Sequence, residues 1–173
     1  MTKCFNIISS ARALCAGILL ALLAASAHGA EPAALVQPLG EFAKVRATED
    51  HTYGHRAQLW RSGGRLLGEI MYWDGNIEGQ RGRFVDGAYD QRTGAVTFKT
   101  VVVRRDLQPN RRAQAAFEGH IVKGTLTGKL TWAGDKEVFF GAKNVERLVL
   151  PLQPKERLTT YASIEAWQKA NTD

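Results

Sequence analysis

The sequence predicts a mainly β protein: an antiparallel meander of about seven to eight strands closed into a barrel, with one C-terminal amphipathic α-helix. Short runs rich in β-branched and aromatic residues alternate with glycine-containing turns over most of the chain. The final segment instead repeats apolar residues at a helical spacing. Barrel closure is favoured because it removes the exposed edges of an open sheet. We expect residues 44–151 to form the barrel and residues 152–173 to carry the helix packed on it.

The first 27 residues have the layout of a secretory signal peptide. Lys3 and Arg12 precede an uncharged apolar run, and Ala25-Ser26-Ala27 supplies an A-x-A cleavage pattern. The apolar run is shorter than the roughly 20 residues of a transmembrane helix, so we expect no transmembrane span. Both cysteines, Cys4 and Cys15, lie in this segment, and a cysteine-free exported domain is typical of the bacterial periplasm. The expected location is periplasmic or secreted, after cleavage behind Ala27.

An extended N-terminal leader is expected over residues 28–43. This range contains Pro32 and Pro38 and shows no clear periodicity. A tether, an edge strand and a plug for one barrel end are the alternatives for it.

The strand region is divided by turn sequences. The Gly63-Gly64 pair predicts a tight hairpin. Asp90 and Gly94 bracket a second turn, in which aspartate starts the turn and glycine takes the left-handed position. The predicted strands are Tyr53–Arg61, Arg65–Trp73, Arg81–Tyr89, Ala95–Arg104, Gln114–Val122, Thr125–Trp132, Glu137–Phe140 and Val145–Leu150.

The tail predicts a helix. Tyr161, Ile164 and Trp167 recur at a spacing of three, and Thr159 or Thr160 is available as its N-cap. We expect the apolar stripe of this helix to pack on the sheet.

This order of strands followed by a helix resembles the calycin group of small barrels, the lipocalins and avidins, from about Lys44 to Trp167. The resemblance is one of architecture, because no tryptophan here has glycine two positions before it, as in the lipocalin Gly-x-Trp motif. It implies a small-molecule pocket inside the barrel. The wall residues expected for such a ligand site are Trp60, Tyr72, Phe98 and Trp132. The alternative is a lumen filled by its own side chains.

Arginine is the second candidate feature. Arg104, Arg105, Arg111 and Arg112 bracket the longest loop of the strand region. Guanidinium groups clustered at one barrel end would bind phosphate, carboxylate or an acidic partner protein. A solvated loop is the alternative. Nucleic acid is not an expected partner, because the net charge is only +6 and aromatic residues do not interleave with the arginines.

The histidines are weaker candidates. His51 and His55 are metal ligands only if a loop brings them together, because residues four apart in a strand are about 13 Å apart. His55 and His120, with a carboxylate such as Glu118, are the residues of a hydrolase or isomerase alternative. The chain has no Gly-x-Ser-x-Gly elbow, no His-Glu-x-x-His and no cysteine after residue 27. A catalytic role and a cofactor are therefore not expected.

The function expected from the sequence is that of an exported, non-enzymatic binding protein of the bacterial periplasm, with a small apolar or amphipathic ligand in the barrel lumen. The alternative is an inhibitor, immunity protein or envelope-assembly factor that binds a protein through the arginine-rich loop. The hydrolase or isomerase is the further alternative.

Overall fold

Eight antiparallel strands follow one another in sequence order around a nearly closed barrel, which confirms the predicted fold class. The computed structural model describes residues 34–75, 79–104, 111–134, 144–154 and 158–172. The strands are β1 (Gln37–Ala47), β2 (Thr52–Ser62), β3 (Arg65–Asp74), β4 (Gln80–Tyr89), β5 (Ala95–Arg104), β6 (Arg111–Val122), β7 (Thr125–Gly134) and β8 (Val145–Pro151). Within the described residues one helix follows them, α1 (Ile164–Ala170).

The barrel closes between its first and last strands over a short stretch. Phe42 of β1 bridges Leu152, the residue after β8. The backbone N–H of Gln153 donates to the carbonyl of Glu41 at 2.8 Å, and its side-chain amide donates to the carbonyl of Ala43 at 3.0 Å. The residues that follow β8 therefore pair with β1 and close the barrel over this short stretch.

The turn between β4 and β5 forms as its residues predict. Asp90 Oδ1 accepts hydrogen bonds from the backbone N–H of Arg92 at 2.8 Å and of Thr93 at 3.2 Å. Gly94 closes the turn with φ +73°, a conformation that glycine adopts without a steric penalty. Side-chain capping by aspartate and a left-handed glycine thus fix the register of this hairpin.

Strand β1 begins at Gln37, inside the range 28–43 for which the sequence predicted a leader, so the strand region starts well before Lys44. A register shift lies between Pro38 and Gly40, and Gly40 has φ +137°. This irregularity interrupts the alternation of side chains by which strands are recognised in sequences. Proline is tolerated there because it lies close to the start of the strand.

The predictions that fall outside the described residues include the signal peptide at residues 1–27, the start of the leader, the strand Glu137–Phe140 and Arg105. In the part of the chain that is described, no helix has the length and apolar character needed to cross a membrane.

The C-terminal helix is confirmed, but it starts later than its apolar spacing suggests. Its N-cap is Ser163, whose hydroxyl accepts from the backbone N–H of Ala166 at 3.2 Å. Thr159 and Thr160 lie upstream of the cap. Trp167 is the buried residue of this short helix.

The strands bury side chains on both faces. The outer face carries a small cluster under α1, the outer cluster, formed by Val36, Trp60, Leu67 and Trp167. The indole rings of Trp60 and Trp167 meet edge to face with centroids 5.6 Å apart. Val36 also forms a backbone bridge with Tyr161, so the chain before β1 is held against the chain before α1. The larger cluster fills the lumen and contains the buried aromatic residues Phe42, Tyr72, Phe84, Phe98, Phe117 and Trp132.

Candidate functional site

Three phenylalanine rings fill part of the lumen, towards the end where the tight hairpins lie. Phe98 stacks on Phe84 with ring centroids 4.1 Å apart and on Phe117 at 5.2 Å. All three side chains are buried. A barrel of eight strands is narrow enough to be filled in this way. This level of the lumen is therefore packed core.

The opposite end of the lumen carries a row of polar side chains. His55 of β2 lies directly opposite Tyr72 of β3, and Tyr72 lies directly opposite Gln80, the first residue of β4. Opposed residues of antiparallel strands project from the same face, with Cβ atoms about 5 Å apart. Since Tyr72 belongs to the lumen core, the three side chains form one row on the inner face.

This row faces two residues from the other side of the barrel. The ring of Tyr72 lies 5.4 Å from that of Trp132 on β7 and 5.0 Å from the imidazole of His55. The indole Nε1 of Trp132 donates to Glu146 Oε1 of β8 at 3.0 Å. Glu146 Oε2 lies 3.5 Å from His55 Nε2. We call the set His55, Tyr72, Gln80, Trp132 and Glu146 the polar cluster.

Burial favours the uncharged forms of the ionisable members of the polar cluster. It lowers the pKa of His55 to about 4, so the imidazole is uncharged at neutral pH. Burial also raises the pKa of Glu146, although the hydrogen bond from Trp132 opposes this shift. The pKa of Tyr72 is raised by burial and by the charges of Asp74 and Glu146, so its hydroxyl keeps its proton. His55 and Glu146 therefore do not form an ion pair at neutral pH.

Two members of the polar cluster have buried polar atoms without a hydrogen bond. Gln80 is only 5% exposed, and neither its Nε2 nor its Oε1 has a partner in the structure. His55 Nε2 is likewise unpartnered, because its approach to Glu146 at 3.5 Å forms no hydrogen bond. A buried polar group left unpaired costs about 1–3 kcal/mol. Most proteins avoid this cost, so such groups point to a role other than stability.

An ion pair lies beside the polar cluster on the same face. Asp74 is two residues beyond Tyr72 on β3, and its carboxylate lies 3.8 Å from the guanidinium of Arg104 at the end of β5. Both side chains are largely buried, at 9% and 13% exposed. The charges on β3 and β5 therefore offset each other at this end of the lumen.

The structure divides the four predicted wall residues. Tyr72 and Trp132 come together in the polar cluster, and Phe98 lies in the packed phenylalanine stack. Trp60 lies on the outer face, where its Nε1 donates to the carbonyl of Thr159 at 2.8 Å. It therefore does not line the lumen. Leu59 and Trp60 are consecutive and both buried, so the sequence did not show which of them points inward.

The predicted arginine cluster is also divided. The guanidinium of Arg104 lies against the Asp74 carboxylate. Arg111 of β6 lies directly opposite Arg104 in the register of β5 and β6. Arg112 points to the other face of the sheet and is exposed. Arg105 lies outside the described residues. The described guanidinium groups thus do not form one surface.

The histidines lie in three different environments. His51 is exposed in the turn before β2 and stacks on Tyr53, whereas His55 is buried in the lumen. His120 is exposed near the hairpin end, opposite Ala95, so it does not share a site with His55. No group of three or more metal-ligating side chains occurs among the residues that the structure describes.

Gln80 and Glu146 belong to the polar cluster although the sequence analysis did not single them out. The alternation of side chains along β4 could have placed Gln80 on the inner face. Phe84 is an inward residue of β4, and counting back by two gives Gly82 and Gln80 on the same face. For Glu146 the pattern was similar, because Leu148 and Leu150 alternate with exposed residues. Its neighbours in space depend on how the barrel closes.

Comparisons with known proteins leave the family open. No family model matches the sequence, and no curated protein and no solved structure shows significant similarity to it.

Proposed function

We propose that this protein is an exported, non-enzymatic binding protein that holds a small amphipathic molecule at the polar end of its barrel. The observation that carries the proposal is the buried and unpartnered side-chain amide of Gln80, which lies opposite Tyr72, whose ring contacts that of Trp132. The rings offer apolar contact area, and the polar atoms offer hydrogen bonds that a ligand completes. Pockets that combine aromatic walls with a few converging polar groups are typical of small-molecule sites.

The packed phenylalanine stack limits where the ligand lies. Because Phe84, Phe98 and Phe117 occupy the lumen beyond the polar cluster, a long apolar chain cannot extend through the barrel. The ligand is therefore compact and lies close to one end. Of the four wall residues expected from the sequence for a small apolar or amphipathic ligand, this location keeps Tyr72 and Trp132 and leaves out Trp60 and Phe98.

The architecture supports the same proposal. An antiparallel barrel of eight strands with a C-terminal helix is compatible with the calycin group, whose members bind small molecules inside the barrel. Membership of that group is part of the proposal, as are the signal peptide and the periplasmic location. Fold likeness alone does not assign a ligand.

Titration with the fluorescent probe N-phenyl-1-naphthylamine tests this site. We expect one probe per chain, and we expect Trp132→Leu to weaken binding at least tenfold because it removes an indole from the polar cluster. Trp60→Leu is the matched control, since it removes an equally buried indole from the outer face. Equal affinity of wild type and Trp132→Leu, or a greater loss in Trp60→Leu, would overturn the lumen site.

A further inference from the structure

We propose that the ligand is a planar molecule carrying an amide-like edge, an N–H donor next to a carbonyl acceptor, which pairs with the side-chain amide of Gln80. This inference rests on the proposed function and names the chemical class of its ligand. It starts from the fact that both polar atoms of Gln80 are buried and unpartnered.

The described neighbours of Gln80 leave its amide without a partner. Its backbone is fixed opposite Tyr72 at the start of β4. Gly82 lies two residues further along the same face of β4. The space beside its backbone is filled by Thr100 and Val102, since a Cβ added to Gly82 would lie 2.8 and 2.9 Å from their methyl carbons. The Thr100 hydroxyl already donates to the carbonyl of Arg83 at 2.6 Å. The amide therefore stays directed at the lumen.

A side-chain amide offers one acceptor and two donor hydrogens in one plane. A lactam or carboxamide edge completes both sides at once, donating to Oε1 and accepting from Nε2. A carboxylate satisfies Nε2 but places its negative charge next to Oε1, and an ammonium group satisfies only Oε1. The unpaired amide thus selects a neutral donor–acceptor edge over either ion.

The surroundings of Gln80 favour a neutral and flat ligand. Tyr72 lies opposite Gln80 in the row, and its ring lies 5.4 Å from that of Trp132, so two aromatic rings belong to the same end of the lumen as the amide. Asp74 and Arg104 lie 3.8 Å apart and offset each other's charge. The third polar group is the unpartnered Nε2 of His55 on the other side of Tyr72. Together these groups fit a heterocycle of the lactam or carboxamide type.

Three bicyclic probes of similar shape test the class: 2-quinolone, which has the donor–acceptor edge; N-methyl-2-quinolone, which has lost the donor; and 2-naphthoate, which is a carboxylate. Their dissociation constants are measured by calorimetric titration of the full protein. We expect 2-quinolone to bind at least tenfold more tightly than the other two. In Gln80→Met, a variant of similar side-chain length without hydrogen-bonding atoms, this preference is expected to vanish.

Three results would overturn the inference: equal binding of the three probes to the wild type, no binding of 2-quinolone, and a preference for 2-quinolone that survives in Gln80→Met. None of them decides the lumen site, which the N-phenyl-1-naphthylamine titration with Trp132→Leu tests separately. Urea unfolding of Gln80→Met shows that the variant is folded when the probes are compared.

Discussion

Tyr72 and Trp132 belong to strands β3 and β7, which are not neighbours in the sheet, yet their ring centroids lie 5.4 Å apart. The contact crosses the lumen and joins opposite walls of the barrel. His55 and Gln80, with their unpartnered polar atoms, flank Tyr72 on β2 and β4, and Glu146 accepts a hydrogen bond from Trp132. The polar end of the barrel is therefore held together by aromatic contact, while its hydrogen-bonding capacity is partly unused.

Replacing Gln80 by methionine is expected to stabilise the protein. The variant removes two buried polar atoms that have no partner, so the free energy of unfolding rises by about 1–2 kcal/mol. Urea unfolding at pH 7.5 measures it. Gln58→Met is the matched control, because the Gln58 amide donates to Glu41 at 2.5 Å and its loss leaves a buried carboxylate with one donor fewer. The control is expected to lose stability, and a loss of similar size in Gln80→Met would show that its amide is satisfied.

His55 predicts a specific dependence of stability on pH. Burial lowers its pKa to about 4 in the folded chain, against 6.5 in the unfolded chain. The unfolded state therefore takes up a proton first as the pH falls, and stability present above pH 6.5 is lost between pH 6.5 and about 4. From pH 7.5 to 4.5 the loss due to His55 is about 2–3 kcal/mol.

The comparison of wild type with His55→Gln isolates this contribution. The raised pKa of Glu146 acts in the opposite direction, since it stabilises the fold at low pH, but Glu146 is present in both proteins. We expect the unfolding free energy of the variant to fall less steeply with decreasing pH. Parallel pH profiles for the two proteins would mean that His55 is accessible to protons in the folded state.

The phenylalanine stack is expected to act as core. Phe98→Ala removes the middle ring of three and should cost about 3–5 kcal/mol of unfolding free energy, as large-to-small changes in packed cores do. Phe98→Leu should cost less, because it leaves a smaller cavity. Chemical denaturation of both variants provides the measurement. A cost below about 1 kcal/mol for the alanine variant would place Phe98 in an open cavity instead.

The outer cluster is expected to depend on Trp167. The side chain is 2% exposed between α1 and the barrel, so Trp167→Ala should cost about 3–5 kcal/mol. Trp73→Ala is the control, a partly exposed indole whose specific contact is the guanidinium of Arg56, 5.7 Å from its ring. That contact is worth about 1 kcal/mol. A loss of about 1 kcal/mol or less for Trp167→Ala in thermal unfolding would indicate that α1 contributes little to the fold.

Strands β2 to β8 were predictable from the sequence because the turns between them carry specific chemistry. Asp90 and Gly94 fix one hairpin through local hydrogen bonds and a left-handed glycine, and such short-range effects are readable from neighbouring residues. The first half of β1 fell in the range predicted as a leader, for which an edge strand was one alternative, because the prolines and the bulge between Pro38 and Gly40 interrupt the alternation of its side chains. Its pairing with β2 and its bridge to Leu152 are tertiary effects.

The candidate site was predictable only in part. Tyr72 and Trp132 stood out as aromatic residues on strands, but their contact depends on the stagger of strands around the barrel. The same holds for His55 and Glu146, which are distant in sequence and 3.5 Å apart in space. Trp60 shows the other difficulty. When both faces of a strand are buried, alternation does not say which face is the lumen.

The most direct test of the lumen site is native mass spectrometry of the protein purified gently from the cells that produce it. We predict a mass surplus of small-molecule size, one per chain, that disappears on denaturation and is missing from Trp132→Leu but retained in Trp60→Leu. A wild-type chain without any surplus, or a surplus that Trp132→Leu carries equally, would contradict the account of the polar cluster as a ligand site.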